Sequence, residues 1–232
     1  LAELDRAVAM AREVEQAGVR ILEFNIGTPY GDEAGGAVAT ERAAERVRTC
    51  VAAVRQAVAI PLWIKITGQS ENVAALAAAA REGGGDAVIL MGRHIGMVPD
   101  VETMAPMLET NLGIGGAWAL PLTCYWLARA RKALGPEAPL IATNGGRSGL
   151  DVARFLLAGA RAAELTTAVM TGGFGVLAEA VETLGAYLDR HDMDAAELVG
   201  LAADRVKAFA ELPLRPGFWE GFVPPETLAG DG

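Results

Sequence analysis

Cysteine is scarce in this chain. Its 232 residues hold two, Cys50 and Cys124, in separate helical patterns and with no Cys-x-x-Cys pair. That spacing suits neither an iron–sulfur cluster nor a zinc site and shows no disulfide partner, so buried free thiols are expected. Histidine is as rare: His94 and His191 stand far apart and form no metal constellation. Positive charge is not in excess either. The net charge is -9, and Lys and Arg are scattered along helical faces, which excludes a nucleic-acid partner gripped through a basic patch. No apolar run is long enough to cross a bilayer and no signal peptide is visible, so no membrane partner and a reducing cytoplasm are expected. An initiator Met is also missing. The chain opens at Leu1 inside a helical pattern (Leu4, Val8, Ala11, Val14) and reads as a fragment of a longer protein.

What the chain does have is regular alternation of helix and strand signals, the signature of βα units on a parallel sheet. Helices are expected near residues 5–17, 40–58, 71–82, 120–134, 151–158, 174–191 and 195–209. Strands are expected near residues 19–24, 61–67, 86–91, 140–143 and 163–166. Between the third strand and the following helix lies a long irregular segment, residues 92–117, of a length more often functional than idle. Residues 1–212 are expected to form one partial barrel and residues 213–232 an extended Pro-rich tail. About five strands are visible where a closed (β/α)8 barrel has eight, so either three units are missing from the front or the sheet is open.

Two strand ends carry small-residue turns, Thr143-Asn-Gly-Gly-Arg147 and Leu165-Thr-Thr-Ala168. Side by side at the C-terminal ends of parallel strands, such turns make a nest of backbone N–H groups that can grip a phosphate. Lys65 stands in an apolar strand between Ile64 and Ile66, where a cation is costly unless paired. It either snorkels to solvent from an outward position or points into the barrel mouth, and the inside–out alternation of its neighbours favours the mouth. Asn25 and Thr28 end the first strand, at the catalytic end of a parallel barrel, although Asn, Gly and Pro are also ordinary turn formers. Arg93 and His94 follow the third strand directly and are expected at the mouth.

Taken in order, these segments resemble the dihydroorotate dehydrogenase family, including the flavin domain of dihydropyrimidine dehydrogenase. Glu23-Phe-Asn25-Ile-Gly-Thr28-Pro-Tyr30 is similar to the family's Glu-Leu-Asn-x-Ser-Cys-Pro-His/Asn. Pro61-Leu-Trp-Ile-Lys65-Ile-Thr-Gly-Gln69 looks like its Pro-x-x-x-Lys-Leu-Thr-Pro-Asn strand. Leu112-Gly-Ile-Gly115-Gly116-Ala-Trp-Ala-Leu-Pro121 resembles Gly-Gly-x-Ser-Gly-x-x-x-x-Pro. The Asn144-Gly-Gly turn and Ala158-Gly-Ala-Arg-Ala-Ala-Glu164-Leu-Thr-Thr-Ala168 resemble Gly-x-Gly-Gly-Ile and Ala-Gly-Ala-x-x-x-Gln-Val-Gly-Thr-Ala. The resemblance covers nearly the whole chain.

It implies an α/β fold, the TIM (β/α)8 barrel of FMN-linked oxidoreductases, with only about the last five βα units in this chain. It further implies FMN as cofactor and hydride transfer from a substrate CH–CH bond to flavin N5. Lys65 would lie against the flavin ring and stabilise its reduced form. Gly116, Gly145, Gly146, Thr166 and Thr167 would hold the FMN phosphate, and Asn25 would touch flavin or substrate. The family's base is Cys or Ser; here Thr28 is the hydroxyl nearest the matching place. Gln69 replaces a substrate-binding Asn, and Gly92-Arg93 replaces an Asn-Ser/Thr pair. These exchanges weigh against dihydroorotate itself and widen the expectation to a small anionic or heterocyclic substrate, with Arg93 pairing a carboxylate. A homodimer or an iron–sulfur electron-transfer partner is the implied company. Other readings are a phosphate-binding barrel isomerase or lyase, and a non-catalytic flavin-binding subunit of a reductase complex.

Overall fold

The computed structural model describes residues 4–26, 41–213 and 216–217. In chain order the elements are α1 (Leu4–Gln16), β1 (Leu22–Asn25), α2 (Glu41–Ala57), β2 (Leu62–Thr67), α3 (Val73–Glu82) and β3 (Ala87–Gly92). Four short strands follow: β4 (His94–Gly96), β5 (Pro99–Asp100), β6 (Ala105–Pro106) and β7 (Leu112–Ile114). Then come α4 (Leu120–Leu134), β8 (Leu140–Ala142), α5 (Gly149–Leu157), β9 (Ala162–Ala163), α6 (Thr166–Gly172) and α7 (Gly175–His191).

The main sheet has the order β1-β2-β3-β8-β9, and all its pairings are parallel. Each new strand joins on the far side of the last, with no reversal. Since parallel crossovers are right-handed, an unreversed order puts every helix on one face, which is the wall of a barrel and not a doubly wound sheet. Packing follows that rule. Leu22, Phe24, Leu62, Ile64, Val88, Leu90, Leu140 and Ala142 meet the helices in the main core, joined by Val51 and Val54 of α2 and by Leu76 and Ala80 of α3. The alternate residues Trp63, Ala87, Ile89 and Ile141 cluster separately on the opposite, inner face.

Local chemistry sets the element ends. Asn72 caps α3 by accepting from the N–H of Ala75 at 3.1 Å, and the Ala-rich run behind it lets the helix lie close on the strands. Ser148 caps α5, accepting from the N–H of Asp151 at 3.4 Å. Pro121 sits in the first turn of α4, where its missing N–H costs nothing.

The structure departs from the sequence expectation in three places. Residues 92–117 are not irregular: β4 pairs antiparallel with β7, and β5 with β6, forming an arm that doubles back over the strand ends. The last strand is only two residues long, because Thr166 already begins α6. Residues 195–209 form no helix but a series of turns with a short 3-10 turn at Ala203–Arg205. Here Gly200, at φ +86°, turns the backbone against the Arg131 guanidinium, where a Cβ would collide. The N–H groups of Gly200 and Ala202 bond to the carbonyls of Leu156 and Leu157 at the end of α5, at 2.9 and 3.0 Å. Donors spent on a neighbouring element are not available for an i−4 ladder. Residue 213 onward lies almost wholly outside the described residues, as do Thr28 and the loop of residues 31–39.

Candidate active site

The C-terminal ends of the strands, the arm of residues 93–115 and the start of α6 enclose a cavity of about 550 Å³. That volume falls in the range of small-molecule and cofactor sites. Its lining brings together Asn25, Lys65, Arg93, Gly145, Gly146, Thr166 and Thr167, seven of the residues singled out from sequence. Gly115, Asn144 and Glu164 also line it.

Lys65 points inward, as the alternation of β2 implies. Its Nζ lies 2.6 Å from Glu23 Oε1 and 2.8 Å from Glu164 Oε2. Glu164 Oε2 has no aligned hydrogen-bond donor among the described residues, so this second contact is a pairing of charges. In register along the sheet, Lys65 sits level with Ile89, Ile141 and Ala162. A flat sheet would hold β2 and β9 about 14 Å apart, three strand spacings. The direct contact between Lys65 and Glu164 therefore reports the curl of the sheet into a barrel arc. Burial of Glu23 raises its pKa, with the nearby Glu164 charge adding to the rise and Lys65 opposing it. The Lys65 ammonium is held above its usual range by the two carboxylates, although burial works against them.

The backbone supplies donors to the same cavity. Among the described residues no acceptor takes the N–H of Gly145 or Gly146. Thr166 and Thr167 open α6, so their N–H groups have no intrahelical acceptor. The amide Nδ2 of Asn144 is buried without a partner among the described residues. Asn144 adopts φ +69°, and its Oδ1 accepts from the N–H of Gly116 at 2.9 Å. Gly145, at φ +109°, brings this turn so close to α4 that a Cβ would collide with the backbone N of Leu120. Thr123 of α4 fixes the same turn by donating to the Asn144 carbonyl at 2.7 Å.

Two sequence candidates sit differently from the rest. Gly116 does not line the cavity, and its N–H is taken by Asn144; Gly115 stands on the wall in its place. Gln69 also lies off the cavity. Its amide Nε2 donates to the Ile95 carbonyl at 3.0 Å, and its Oε1 accepts from the Ile95 N–H at 2.5 Å, clamping β4 to the end of β2. His94 turns away from the cavity to meet Trp118 edge-on at 5.3 Å. Burial lowers its pKa, and its Nε2 is buried without a partner among the described residues. Cys50 is buried and free as expected; Cys124 is free and half-buried, and burial raises its thiol to about 11.

Sequence reasoning placed Asn144 only as part of the phosphate-gripping turn, without a role for its side chain, and did not place Glu164 or Met91 in the site. Glu164 carried a signal, a charge two residues beyond an inward position on the last strand. Met91 is fully buried at φ +72° beside a register shift between Lys65 and Thr67, and no local pattern marked it.

The comparisons with known proteins agree with this geometry. The family model described as dihydroorotate dehydrogenase matches residues 2–188. The catalytic subunit of dihydroorotate dehydrogenase B (NAD(+)) from Methanocella arvoryzae is 31% identical over 191 residues, covering 82% of this chain and 62% of that protein. Dihydroorotate dehydrogenase A (fumarate) from Lactobacillus delbrueckii subsp. bulgaricus is 30% identical over 166 residues, covering 71% of this chain and 53% of its own. The crystal structure of DHODH from Eimeria tenella with ferulenol superposes with a TM-score of 0.68 at 18% identity, over 85% of this chain and 58% of that one. The chain thus spans a little over half the length of these relatives, and its five-stranded arc is part of a (β/α)8 barrel. With a matching family model over most of its length and relatives at this level of identity, the chain belongs to the dihydroorotate dehydrogenase family.

Proposed function

We propose that this protein is the later part of an FMN-dependent oxidoreductase acting on a CH–CH bond of a small substrate. The observation that carries the reading is that one cavity is lined both by an inward cation, Lys65, and by a cluster of N–H donors without an acceptor among the described residues. FMN has matching ends, an electron-rich ring and a phosphate. The Gly145, Gly146, Thr166 and Thr167 N–H groups, with Asn144 Nδ2, would hold the phosphate. Lys65 would face the ring, where an ammonium favours added electron density. Bound FMN supplies a hydride acceptor; this chain's residues bind and orient it and exclude water.

Asn25 sits where it can touch ring or substrate. Arg93 lines the cavity wall, and its guanidinium suits a carboxylate on the substrate. Thr28 is proposed as the hydroxyl nearest the proton to be removed, and it lies outside the described residues. Gln69 acts on substrate through the arm it holds. The names of the relatives put dihydroorotate itself first among substrates to try, followed by other small anionic heterocycles. A second subunit, a homodimer partner or an iron–sulfur electron carrier, fits the relative named as a catalytic subunit. No helix among the described residues is long and apolar enough to cross a membrane, and a cytoplasmic setting is proposed. The barrel portion is taken as residues 1–212.

The test is flavin content. The purified protein, with added FMN, is expected to show the flavin absorption band after gel filtration, and Lys65→Ala is expected to weaken retention at least tenfold. A colourless protein that fails to retain FMN at any concentration would overturn the reading.

A further inference from the structure

Lys65 is flanked by two carboxylates where one would neutralise it. Glu23 lies 2.6 Å away on β1 and Glu164 lies 2.8 Å away just past β9, and all three side chains are at least partly withdrawn from water. With both carboxylates ionised the group bears a net charge of one negative at the very place where an electron-rich ring would dock. An ammonium has three N–H donors, and with two carboxylate partners among the described residues at least one is left for a guest.

We propose that Glu23, Lys65 and Glu164 form a proton-holding unit that takes up one proton from solvent onto a carboxylate oxygen when a flavin ring covers it, with Glu164 as the residue that makes the uptake necessary. The inference rests on the flavin reading given above. A ring laid over the unit removes water from a net negative charge, and a buried charge without compensation neutralises instead of remaining ionised. Two carboxylates competing for one cation cannot both stay ionised cheaply, so one of them is the natural proton acceptor. Other charge facing the unit is limited. Ile89 and Ile141, from the strands between, are apolar, and Arg93 at the end of β3 is the remaining charged side chain among the described residues of the cavity lining. The burial-driven rise at Glu23 is in the direction that proton holding needs.

The test compares the wild-type chain with Glu164→Gln, which keeps the shape and removes one charge. FMN dissociation constants are measured from pH 5 to 8. The phosphate's own titration is common to both proteins and cancels in their ratio. The ratio of the wild-type constant to that of the variant is expected to climb by up to about tenfold per pH unit across the window where the bound unit is protonated and the free unit is not. Calorimetry in two buffers of different ionisation heat should show about one more proton taken up per FMN by the wild type. Parallel curves with equal proton counts would overturn the proposal. A third measurement needs no ligand: in a carboxyl NMR titration of the unliganded chain, the Glu23 carboxyl, held above its usual range chiefly by burial, should fall when Glu164→Gln removes the neighbouring charge. If neither protein binds FMN, the flavin reading fails and the proposal falls with it, an outcome distinct from parallel curves in two proteins that do bind FMN.

Discussion

Asn144 does two things at one position. It holds a left-handed backbone at φ +69°, and its side chain ties the turn to Gly116 at 2.9 Å. Alanine there would incur the left-handed strain, roughly 1–2 kcal/mol, and lose a hydrogen bond worth about 1 kcal/mol. Glycine would lose only the bond. Chemical denaturation should therefore rank wild type, then Asn144→Gly, then Asn144→Ala, and equal losses for the two variants would refute this division of roles. His94 makes a pH prediction of definite sign. Burial depresses its pKa from 6.5, so the folded state favours the neutral ring. The stability that the neutral ring contributes is complete above pH 6.5 and falls away as pH drops through the lower folded value. Melting temperatures measured from pH 8 down to 5 should fall more steeply for the wild type than for His94→Phe. The inward aim of Lys65 was legible because strand alternation is local. Its partners were not: Glu164 is 99 residues further along, and only the curvature of the sheet brings the two together.

At the scale of elements, the arm built from β4 to β7 was the least legible part of the fold. Its strands are two or three residues long and rich in Gly and Pro, too short for a period-two pattern to register. The βα units were legible because each spans several turns of consistent periodicity, and α4 matched expectation at both ends. The failed helix at residues 195–209 shows the opposite limit. An amphipathic pattern was present, but Gly200 and the carbonyls at the end of α5 offered the backbone a better set of partners. The arm is held to the main sheet by the Gln69 amide, which pairs with both backbone groups of Ile95. Gln69→Ala should leave the global unfolding midpoint nearly unchanged while raising amide exchange at Ile95 and along β7 at least tenfold. Exchange rates that do not move would show that the clamp is incidental.

The whole molecule sets the long-range field. The net charge of -9 repels an anionic ligand at a distance, while the backbone donors of the cavity attract it at contact. Screening weakens the first far more than the second. The association rate for FMN is therefore expected to rise several-fold between 10 and 150 mM salt, measured by stopped-flow fluorescence; a rate that falls with salt would mean that local cations dominate capture. The order of the βα units was readable along the entire chain, but closure was not, because a sheet's radius is a property of all its strands together. One contact expresses that radius directly. Lys65 and Glu164 join β2 to β9 as a chord joins the ends of an arc, and a chord under load fixes the span beneath it. A guest that drew the Lys65 ammonium toward itself would slacken the chord, and the wall would be free to widen. The breadth of the cavity and the charge at its floor would then change as one mechanical coordinate.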